Sequence, residues 1–255
     1  MTFIEKAALA EKAARAAGEM LEHHSAFKVM RKSENDFVTE MDFKSEALIK
    51  DILLNACPED QFFGEETGGS TKSKGRWIVD PIDGTSNFMH GHRIYTISIA
   101  YEHDGELVVG CVFCPGTDEL FLAVRGEGAT LNGKPIHVSE VNVMRNAILE
   151  MAFGHRDPKN LRRTLKILPA LAESASDLRR LGSCAYDLCC VADGRSDGYV
   201  ELGLKIYDYA AGYVILREAG GVFSGWTPDE DALATGNIVA SNGLLHAGLM
   251  TLVKD

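Results

Sequence analysis

A short apolar strand that ends in carboxylates is the feature that most constrains how this chain can fold. Residues 77–88 read Trp-Ile-Val-Asp-Pro-Ile-Asp-Gly-Thr-Ser-Asn-Phe. Asp80 directly follows three apolar residues, and a carboxylate at the end of a buried strand is unfavourable unless a cation or a hydrogen-bond donor compensates it. Because Pro81 stiffens the turn, Asp80 and Asp83 are predicted to be held at a fixed separation.

The residues after Asp83 favour an anion-binding loop. Gly84 allows the backbone to approach a ligand closely. The next residues, Thr85, Ser86 and Asn87, predict the opening of a short helix, whose free N–H groups bind phosphate well. Oxygen-only ligands indicate Mg²⁺ or Mn²⁺ rather than zinc. An Asp-Gly pair alone would be a plain turn, but turn chemistry does not explain a carboxylate that ends a buried strand.

Hydrophobic periodicity divides the first half of the chain into helices and short strands. Apolar residues at helical spacing predict a helix over 2–22, and a second helix over 42–55 with Asp42 as its cap. Turn signals such as Asp104-Gly105 and Asn132-Gly133 separate the strands that follow. This half is predicted to be two helices packed on a largely antiparallel sheet. The predicted strands are 62–63, 77–79, 96–101, 107–113 and 119–124.

The second half alternates strands with helices, which suggests a more parallel sheet. Residues 1–140 and 141–255 are expected to form one catalytic unit, an α+β half joined to an α/β half. The predicted strands are 147–151, 198–201 and 238–240, and the predicted helices are 159–173, 183–193, 208–219 and 242–253.

Net charge and cysteine content limit which partners and which cellular compartment are expected. The net charge of −11 repels nucleic acid and anionic membranes, so neither is an expected partner. The N-terminus has no signal-peptide pattern, and no segment reaches the roughly 20 apolar residues that span a bilayer. We therefore expect a cytoplasmic protein with reduced thiols. The Cys111-x-x-Cys114 pair lies in an apolar run without a second pair to complete a zinc site, so its thiols are predicted to be buried core residues.

Three further acidic motifs complete a family pattern. They are Asp36-Phe37-Val38-Thr39-Glu40-Met41-Asp42, Gly64-Glu65-Glu66, and Tyr207-Asp208-Tyr209-Ala210-Ala211-Gly212 followed by Arg217-Glu218-Ala219-Gly220-Gly221. Together with residues 77–88, their order and spacing over nearly the whole chain resemble the inositol monophosphatase family of lithium-sensitive, magnesium-dependent phosphatases. The resemblance implies a layered α-β-α-β-α sandwich of the inositol monophosphatase and fructose-1,6-bisphosphatase type, a homodimer, and a small phosphate monoester as substrate.

The resemblance also implies roles for individual residues. Glu65, Asp80 and the backbone carbonyl of Ile82 would bind a first Mg²⁺; Asp80, Asp83 and Asp208 would bind a second, and Glu65 would hold a weaker third. Two such ions can activate a water and stabilise the leaving oxygen. Thr85, oriented by Asp42, would position and deprotonate that water, and the N–H groups of Gly84 and Thr85 would hold the phosphate.

The substrate pocket is less constrained by the sequence. In inositol-cleaving members a Glu at the position of Glu201 binds ring hydroxyls, which favours a polyol phosphate, although a solvated Glu at a strand end is the alternative. Ser183 and Cys184 match another wall of the pocket, together with Asp83, and Cys184 is equally consistent with core packing. Tyr207 replaces the Trp that usually precedes the third metal-binding Asp. Arg93 is either a substrate contact or part of a surface loop.

Three functions remain open from the sequence. The leading hypothesis is hydrolysis of myo-inositol 1-phosphate or a similar polyol phosphate. The second keeps the metal site and changes the substrate to histidinol phosphate, 3′-phosphoadenosine 5′-phosphate or fructose 1,6-bisphosphate. The third is a binding protein that keeps the fold without turnover.

Overall fold

The computed structural model describes residues 1–23, 26–33, 36–69 and 74–254. The helices are α1 Phe3–Glu22, α2 Glu40–Ala56, α3 Thr85–Met89, α4 Pro158–Ser174, α5 Cys184–Ala192, α6 Ile206–Glu218, α7 Ala232–Thr235 and α8 His246–Leu252. The strands are β1 Val29–Ser33, β2 Asp36–Thr39, β3 Gln61–Gly64, β4 Gly68–Gly69, β5 Gly75–Asp83, β6 Thr96–His103, β7 Glu106–Cys114, β8 Glu119–Val124, β9 Gly128–Leu131, β10 Lys134–Pro135, β11 Ile148–Met151, β12 Asp177–Arg179, β13 Gly198–Glu201, β14 Val222–Ser224 and β15 Ile238–Ser241.

The larger sheet has eight strands in the order β10-β9-β8-β7-β6-β5-β3-β4. Only β3 and β5 pair in parallel, so the predicted antiparallel character is confirmed. The turn between β6 and β7 uses Asp104 and Gly105, both at positive φ, as a two-residue hairpin turn requires. All nine residues of β5 are buried, which places the carboxylate-bearing strand at the centre of the protein.

The smaller sheet has five strands in the order β12-β11-β13-β15-β14. β11 pairs in parallel with β12 and with β13, whereas β15 runs antiparallel to both β13 and β14. The predicted parallel sheet is therefore only partly right. The connection from β14 to β15 reverses the chain through α7 without a long crossover helix, and such a return gives an antiparallel pair.

The core is divided among five layers, in agreement with the expected sandwich. Small and apolar residues of α1 and α2 pack on one face of the larger sheet. Helices α5 and α6 fill the space between the other face of that sheet and the smaller sheet. Helices α4 and α8 cover the outer face of the smaller sheet. All six cysteines are buried and free, as predicted for core thiols.

The start of α2 differs from its prediction. Thr39 is the N-cap, and its hydroxyl accepts a 3.1 Å hydrogen bond from the N–H of Met41. Asp42 lies in the third helical position, where its carboxylate accepts from the N–H of Thr39 at 2.7 Å. The prediction that Asp42 is the N-cap is wrong because Thr39 takes that position and the two residues form a reciprocal capping box.

Other elements also depart from the sequence pattern, among them α8, β1 and β2. The final helix begins at His246 rather than 242, because Asn242 accepts the N–H of Leu245 and holds the intervening turn. The hairpin of β1 and β2 was not predicted, since it is short and its residues do not alternate. In the described residues no helix is both long and apolar enough to cross a membrane.

Candidate active site

A β-bulge brings the two carboxylates of β5 onto one face of the larger sheet. Asp80 pairs with Ser98 and Asp83 pairs with Thr96, so three steps along β5 match two steps along β6. Residues three apart on a regular strand point to opposite faces, but the extra residue of a bulge restores the alignment. Asp80 and Asp83 therefore both face the layer that contains α5 and α6.

Three buried carboxylates meet at this face. Asp208 lies in the first turn of α6 and accepts the N–H of Lys205 at 2.6 Å. Asp80, Asp83 and Asp208 are 2, 9 and 8% exposed. Burial raises the pKa of all three groups, and the charge of Glu65 raises each of them further. The pKa of Asp83 rises to about 6, and hydrogen bonds from Ser183 and Ala185 oppose this rise.

The turn between Asp80 and Asp83 is fixed from both sides. Asp80 accepts the N–H of Ile82 at 3.0 Å, and the hydroxyl of Ser45 donates to the Pro81 carbonyl at 3.1 Å. The Thr85 hydroxyl lies 3.1 Å from the Ile82 carbonyl oxygen and 3.3 Å from Oδ1 of Asp42. The expected pairing of Asp42 with Thr85 is thus present in the structure.

Gly84 joins this turn to α3 in a conformation suited to glycine. Its φ is 93°, and a Cβ at this position would lie 3.1 Å from the carbonyl oxygen of Gly182. Asn87 in α3 donates to the carbonyls of Ile94 and Leu181 at 2.7 Å each. The loop over residues 84–87 is therefore held against the segment that leads into α5.

The start of α5 forms a second wall beside Asp83. The Ser183 hydroxyl and the N–H of Ala185 both donate to one Asp83 oxygen at 2.7 Å. Cys184 is 6% exposed, and the charges of Glu201, Asp83 and Asp208 add to burial in raising the pKa of its thiol. Cys184 belongs to the central core, which agrees with the core-packing interpretation; its place in a substrate pocket stays a prediction.

Glu201 is the last residue of β13. Its carboxylate accepts a hydrogen bond from the Tyr199 hydroxyl, which a merely solvated Glu would not require. The ring of Tyr207, which precedes Asp208, stacks on Phe63 with centroids 6.4 Å apart. Burial and the charges of Asp208, Glu65 and Asp80 raise the pKa of Tyr207.

Glu46, which was not predicted from the sequence, is a buried support of the Glu65 loop. Glu65 is tied to β5 by a 3.0 Å hydrogen bond from its N–H to the Val79 carbonyl. Glu46 is 1% exposed and accepts from the N–H groups of Glu66 and Thr67 at 2.8 and 2.9 Å. The available signal was its spacing, because Glu46 follows Asp42 by four residues and so lies on the same face of α2.

Arg93 is an exposed residue that contacts a neighbouring turn. Its Nε–H donates to the carbonyl of Gly116, in the turn after β7, at 2.6 Å. The neighbouring His90 and His92 are exposed as well. The structure favours the surface-loop interpretation of this segment.

The donor set fits a hard divalent cation. The described residues include no group of three carboxylate, thiol or imidazole side chains already arranged to hold a metal. However, Asp80, Asp83 and Asp208 are buried and mutually repulsive. The hydrogen bonds described for their carboxylates come from hydroxyl and backbone N–H groups. A cation among such oxygens would replace repulsion with attraction.

Comparison with known proteins identifies the family. The model of the inositol monophosphatase family matches residues 5–255. The Nus factor SuhB of Vibrio cholerae is 41% identical over 241 residues, which cover 92% of this chain and 90% of SuhB. The structure of extragenic suppressor protein suhB from Bartonella henselae superposes with a TM-score of 0.92 at 34% identity, covering 97% of each chain. An inositol monophosphatase from Anabaena (Nostoc) superposes with a TM-score of 0.87 at 32% identity, covering 99% of this chain and 96% of that one. The chain therefore belongs to the inositol monophosphatase family.

Proposed function

We propose that this protein is a Mg²⁺-dependent phosphomonoesterase that hydrolyses a small polyol phosphate, with myo-inositol 1-phosphate as the leading substrate. The observation that carries the proposal is the buried set Asp80, Asp83 and Asp208, and Glu201 is near enough for its charge to help raise the pKa of Asp208. Uncompensated buried carboxylates are costly, and a metal-dependent function explains why they are kept. Family membership supports a phosphatase.

The proposed metal ligands are Glu65, Asp80, the Ile82 carbonyl, Asp83 and Asp208, for two to three Mg²⁺ ions or Mn²⁺ in their place. When bound, the ions supply positive charge that stabilises the phosphoryl oxygens in the transition state. The chain fixes the ligands before binding, since Ser183 and Ala185 orient Asp83 and the Ile82 N–H orients Asp80.

Thr85 and Asp42 would hold the attacking water. Asp42 lies within reach of the Thr85 hydroxyl, so that hydroxyl can pass its proton toward the carboxylate while its oxygen accepts from the water. The phosphate would accept from the N–H groups of Gly84 and Thr85. Glu201, oriented by Tyr199, would accept hydrogen bonds from hydroxyls of the leaving alcohol, beside Ser183 and Cys184.

Phosphate release from a substrate panel tests the proposal. The panel contains inositol 1-phosphate, glycerol 2-phosphate, histidinol phosphate, fructose 1,6-bisphosphate and 3′-phosphoadenosine 5′-phosphate, each with and without Mg²⁺. Asp80→Asn should lose at least about a thousandfold in kcat, whereas Asp51→Asn, an exposed carboxylate of α2, should not change it. Without metal, Asp80→Asn should melt no lower than the wild type, because it removes a repulsive charge. Metal-dependent activity unchanged in Asp80→Asn would refute the metal assignment.

Histidinol phosphate, 3′-phosphoadenosine 5′-phosphate and fructose 1,6-bisphosphate remain the alternative substrates. A lead of tenfold or more for one of them, about 1.4 kcal/mol, would replace the polyol assignment without changing the metal site. Inhibition by millimolar lithium and a homodimer in sedimentation are further expectations from the family. Tight substrate binding without turnover in excess Mg²⁺ would instead indicate a binding protein.

A second candidate function is the one named for the SuhB relatives, that of a Nus factor. It is supported by 41% identity to the Vibrio cholerae protein and 36% identity to the Escherichia coli protein over 97% of this chain. Complementation of an Escherichia coli strain that lacks SuhB tests it. Rescue by wild type and by Asp80→Asn alike would support a role independent of hydrolysis, and failure of both would count against it.

A further inference from the structure

One face of α2 carries three polar side chains that are almost completely buried. Asp42, Ser45 and Glu46 are 1, 0 and 1% exposed, and their spacing of three and four residues places them on the same side of the helix. Charged side chains are seldom buried to this extent without specific partners. Asp42 contacts Thr85 and Ser45 contacts the Pro81 carbonyl, so this face of α2 supports the active site.

Glu46 binds the segment that follows the proposed metal ligand Glu65. Its Oε2 accepts the N–H of Glu66 at 2.8 Å, and its Oε1 accepts both the N–H and the hydroxyl of Thr67, at 2.9 and 2.6 Å. Both carboxylate oxygens are therefore used by this one segment. An amide in place of the carboxylate would set an NH₂ group against one of these donors, because Gln has only one side-chain oxygen.

Glu46 also limits the residue that precedes Glu65. A Cβ on Gly64 would lie 2.4 Å from Cδ and Oε2 of Glu46, so the carboxylate would have to move and give up hydrogen bonds. Gly64 is not among the glycines with positive φ, so its backbone conformation alone does not require glycine. The space taken by the Glu46 carboxylate therefore explains the glycine of the Gly64-Glu65-Glu66 motif.

Glu65 thus lies between two residues whose positions depend on Glu46. Its own N–H donates to the carbonyl of Val79, the residue before Asp80, at 3.0 Å. The backbone of Glu65 is therefore held between α2 and β5, the strand that carries Asp80 and Asp83. Residues that orient metal ligands contribute to metal affinity although they do not touch the metal.

We propose that Glu46 is a positioning residue that sets the Mg²⁺ affinity of the Glu65 side of the site. It acts through the backbone of residues 64–67, which carries Glu65. Asp83 and Asp208 are oriented by other donors, so the loss of Glu46 weakens the Glu65 side selectively. This inference rests on the proposed phosphatase function and on its metal ligands.

Glu46→Gln and the matched control Asp197→Asn test the inference. Asp197 is also a buried carboxylate that accepts a backbone N–H, from Ile148 at 2.7 Å, and a hydroxyl, from Ser139, but it supports the smaller sheet. Calorimetric titration of the metal-free proteins with Mg²⁺ measures binding without turnover. Glu46→Gln should weaken at least one Mg²⁺ binding step by about tenfold or more, and Asp197→Asn should change each step by less than about threefold.

Gly64→Ala is a second, independent variant. Its Cβ should displace the Glu46 carboxylate and weaken Mg²⁺ binding in the same direction as Glu46→Gln. In a Glu46→Ala background the clash is gone, so adding Gly64→Ala should cost less than about threefold in Mg²⁺ affinity. Thermal melts without metal show whether each variant is folded.

The outcomes separate failure of this inference from failure of the proposed function. Mg²⁺ binding that is unchanged in Glu46→Gln, or equally weakened in Asp197→Asn, would overturn the role of Glu46 and leave the phosphatase in place. If Glu46→Gln does not fold, unchanged Mg²⁺ binding in Gly64→Ala would overturn that role instead. A wild type that binds Mg²⁺ without hydrolysing any substrate would refute the proposed function, and the binding data would still decide the role of Glu46. Phosphate release by a wild type that binds no Mg²⁺ would overturn the metal assignment and this role together.

Discussion

Ser183 and Asp83, one hundred residues apart, are joined by a 2.7 Å hydrogen bond that is buried from solvent. The bond links the start of α5 to the end of β5. Ser183 also caps α5 through the N–H of Tyr186 at 3.3 Å and contacts the Thr96 hydroxyl at 3.0 Å. One side chain therefore fixes both a helix start and the orientation of a proposed metal ligand.

Ser183→Ala should separate these two contributions. Loss of the cap should lower the free energy of unfolding by about 1 kcal/mol. Loss of the donor to Asp83 should lower metal affinity or kcat/KM by roughly tenfold or more, as for other groups that orient metal ligands. Urea unfolding and Mg²⁺ titration of activity measure the two effects, with the exposed Ser176→Ala as control. Reduced stability with unchanged Mg²⁺ dependence would contradict the orienting role.

Gly84→Ala should lower activity by more than its loss of folding stability explains. The substitution places a Cβ at φ 93° and 3.1 Å from the Gly182 carbonyl oxygen, which should cost about 1–3 kcal/mol and shift the loop. Gly133→Ala is a matched control, since Gly133 has φ 75° in open space. We expect Gly133→Ala to reduce stability by about 1–2 kcal/mol with activity intact, and equal activity losses in both variants would refute the crowding argument.

Asp187 should make the native state less stable as pH rises. It is 1% exposed, and one of its carboxylate oxygens has no hydrogen-bond partner in the described structure. Burial, followed by the charge of Glu150, raises its pKa well above the usual range. The folded state therefore binds the proton more tightly than the unfolded chain, and the resulting stability is present below the unfolded pKa and declines toward the folded pKa.

Asp187→Asn removes this titration while keeping a similar shape. Between pH 5 and 8 the free energy of unfolding should fall less steeply in the variant than in the wild type. The two free energies of unfolding should diverge by about 1.4 kcal/mol for each unit by which folding raises the pKa of Asp187. Urea unfolding across that range is the measurement, and parallel curves would show that Asp187 does not titrate with folding.

His246 should act in the opposite direction. Its two ring nitrogens contact the hydroxyls of Ser224 and Ser241 at 2.9 and 3.0 Å, and burial lowers its pKa. The folded state therefore binds fewer protons, so this stability is present above the unfolded pKa of about 6.5 and is lost as pH falls through the folded pKa. His246→Gln should reduce the loss of stability between pH 7 and 5, which thermal melts can measure at fixed ionic strength. A variant that loses as much stability as the wild type over this range would rule out His246 as the titrating group.

The structure agrees with the predictions where local sequence pattern determines the element. Apolar runs located the central strands, and strand 119–124 matches β8 at both ends. The predicted neighbours Asp42 and Thr85 lie 3.3 Å apart, although their catalytic roles remain proposals. The strand prediction succeeds because hydrophobic periodicity and turn residues act over a few positions, whereas the Asp42–Thr85 contact was implied by the family resemblance.

The remaining features depend on contacts between distant segments. The bulge after Asp80 is visible only through its pairing with β6, and the antiparallel direction of β15 depends on which strands it joins. Glu46 is a helix residue whose hydrogen bonds go to a loop about twenty positions away. Single-sequence patterns do not encode such pairings, because several arrangements satisfy the same local preferences.

The link from Ser183 to Asp83 has a consequence for the order of folding. Asp83 belongs to the larger sheet, whereas Ser183 and Asp208 come from helices whose other neighbours include the smaller sheet. Contacts of such long sequence separation close late, since loop closure must precede them. Recovery of catalysis during refolding should therefore lag behind recovery of secondary structure. The time course of phosphate release would then report when the two sheets dock.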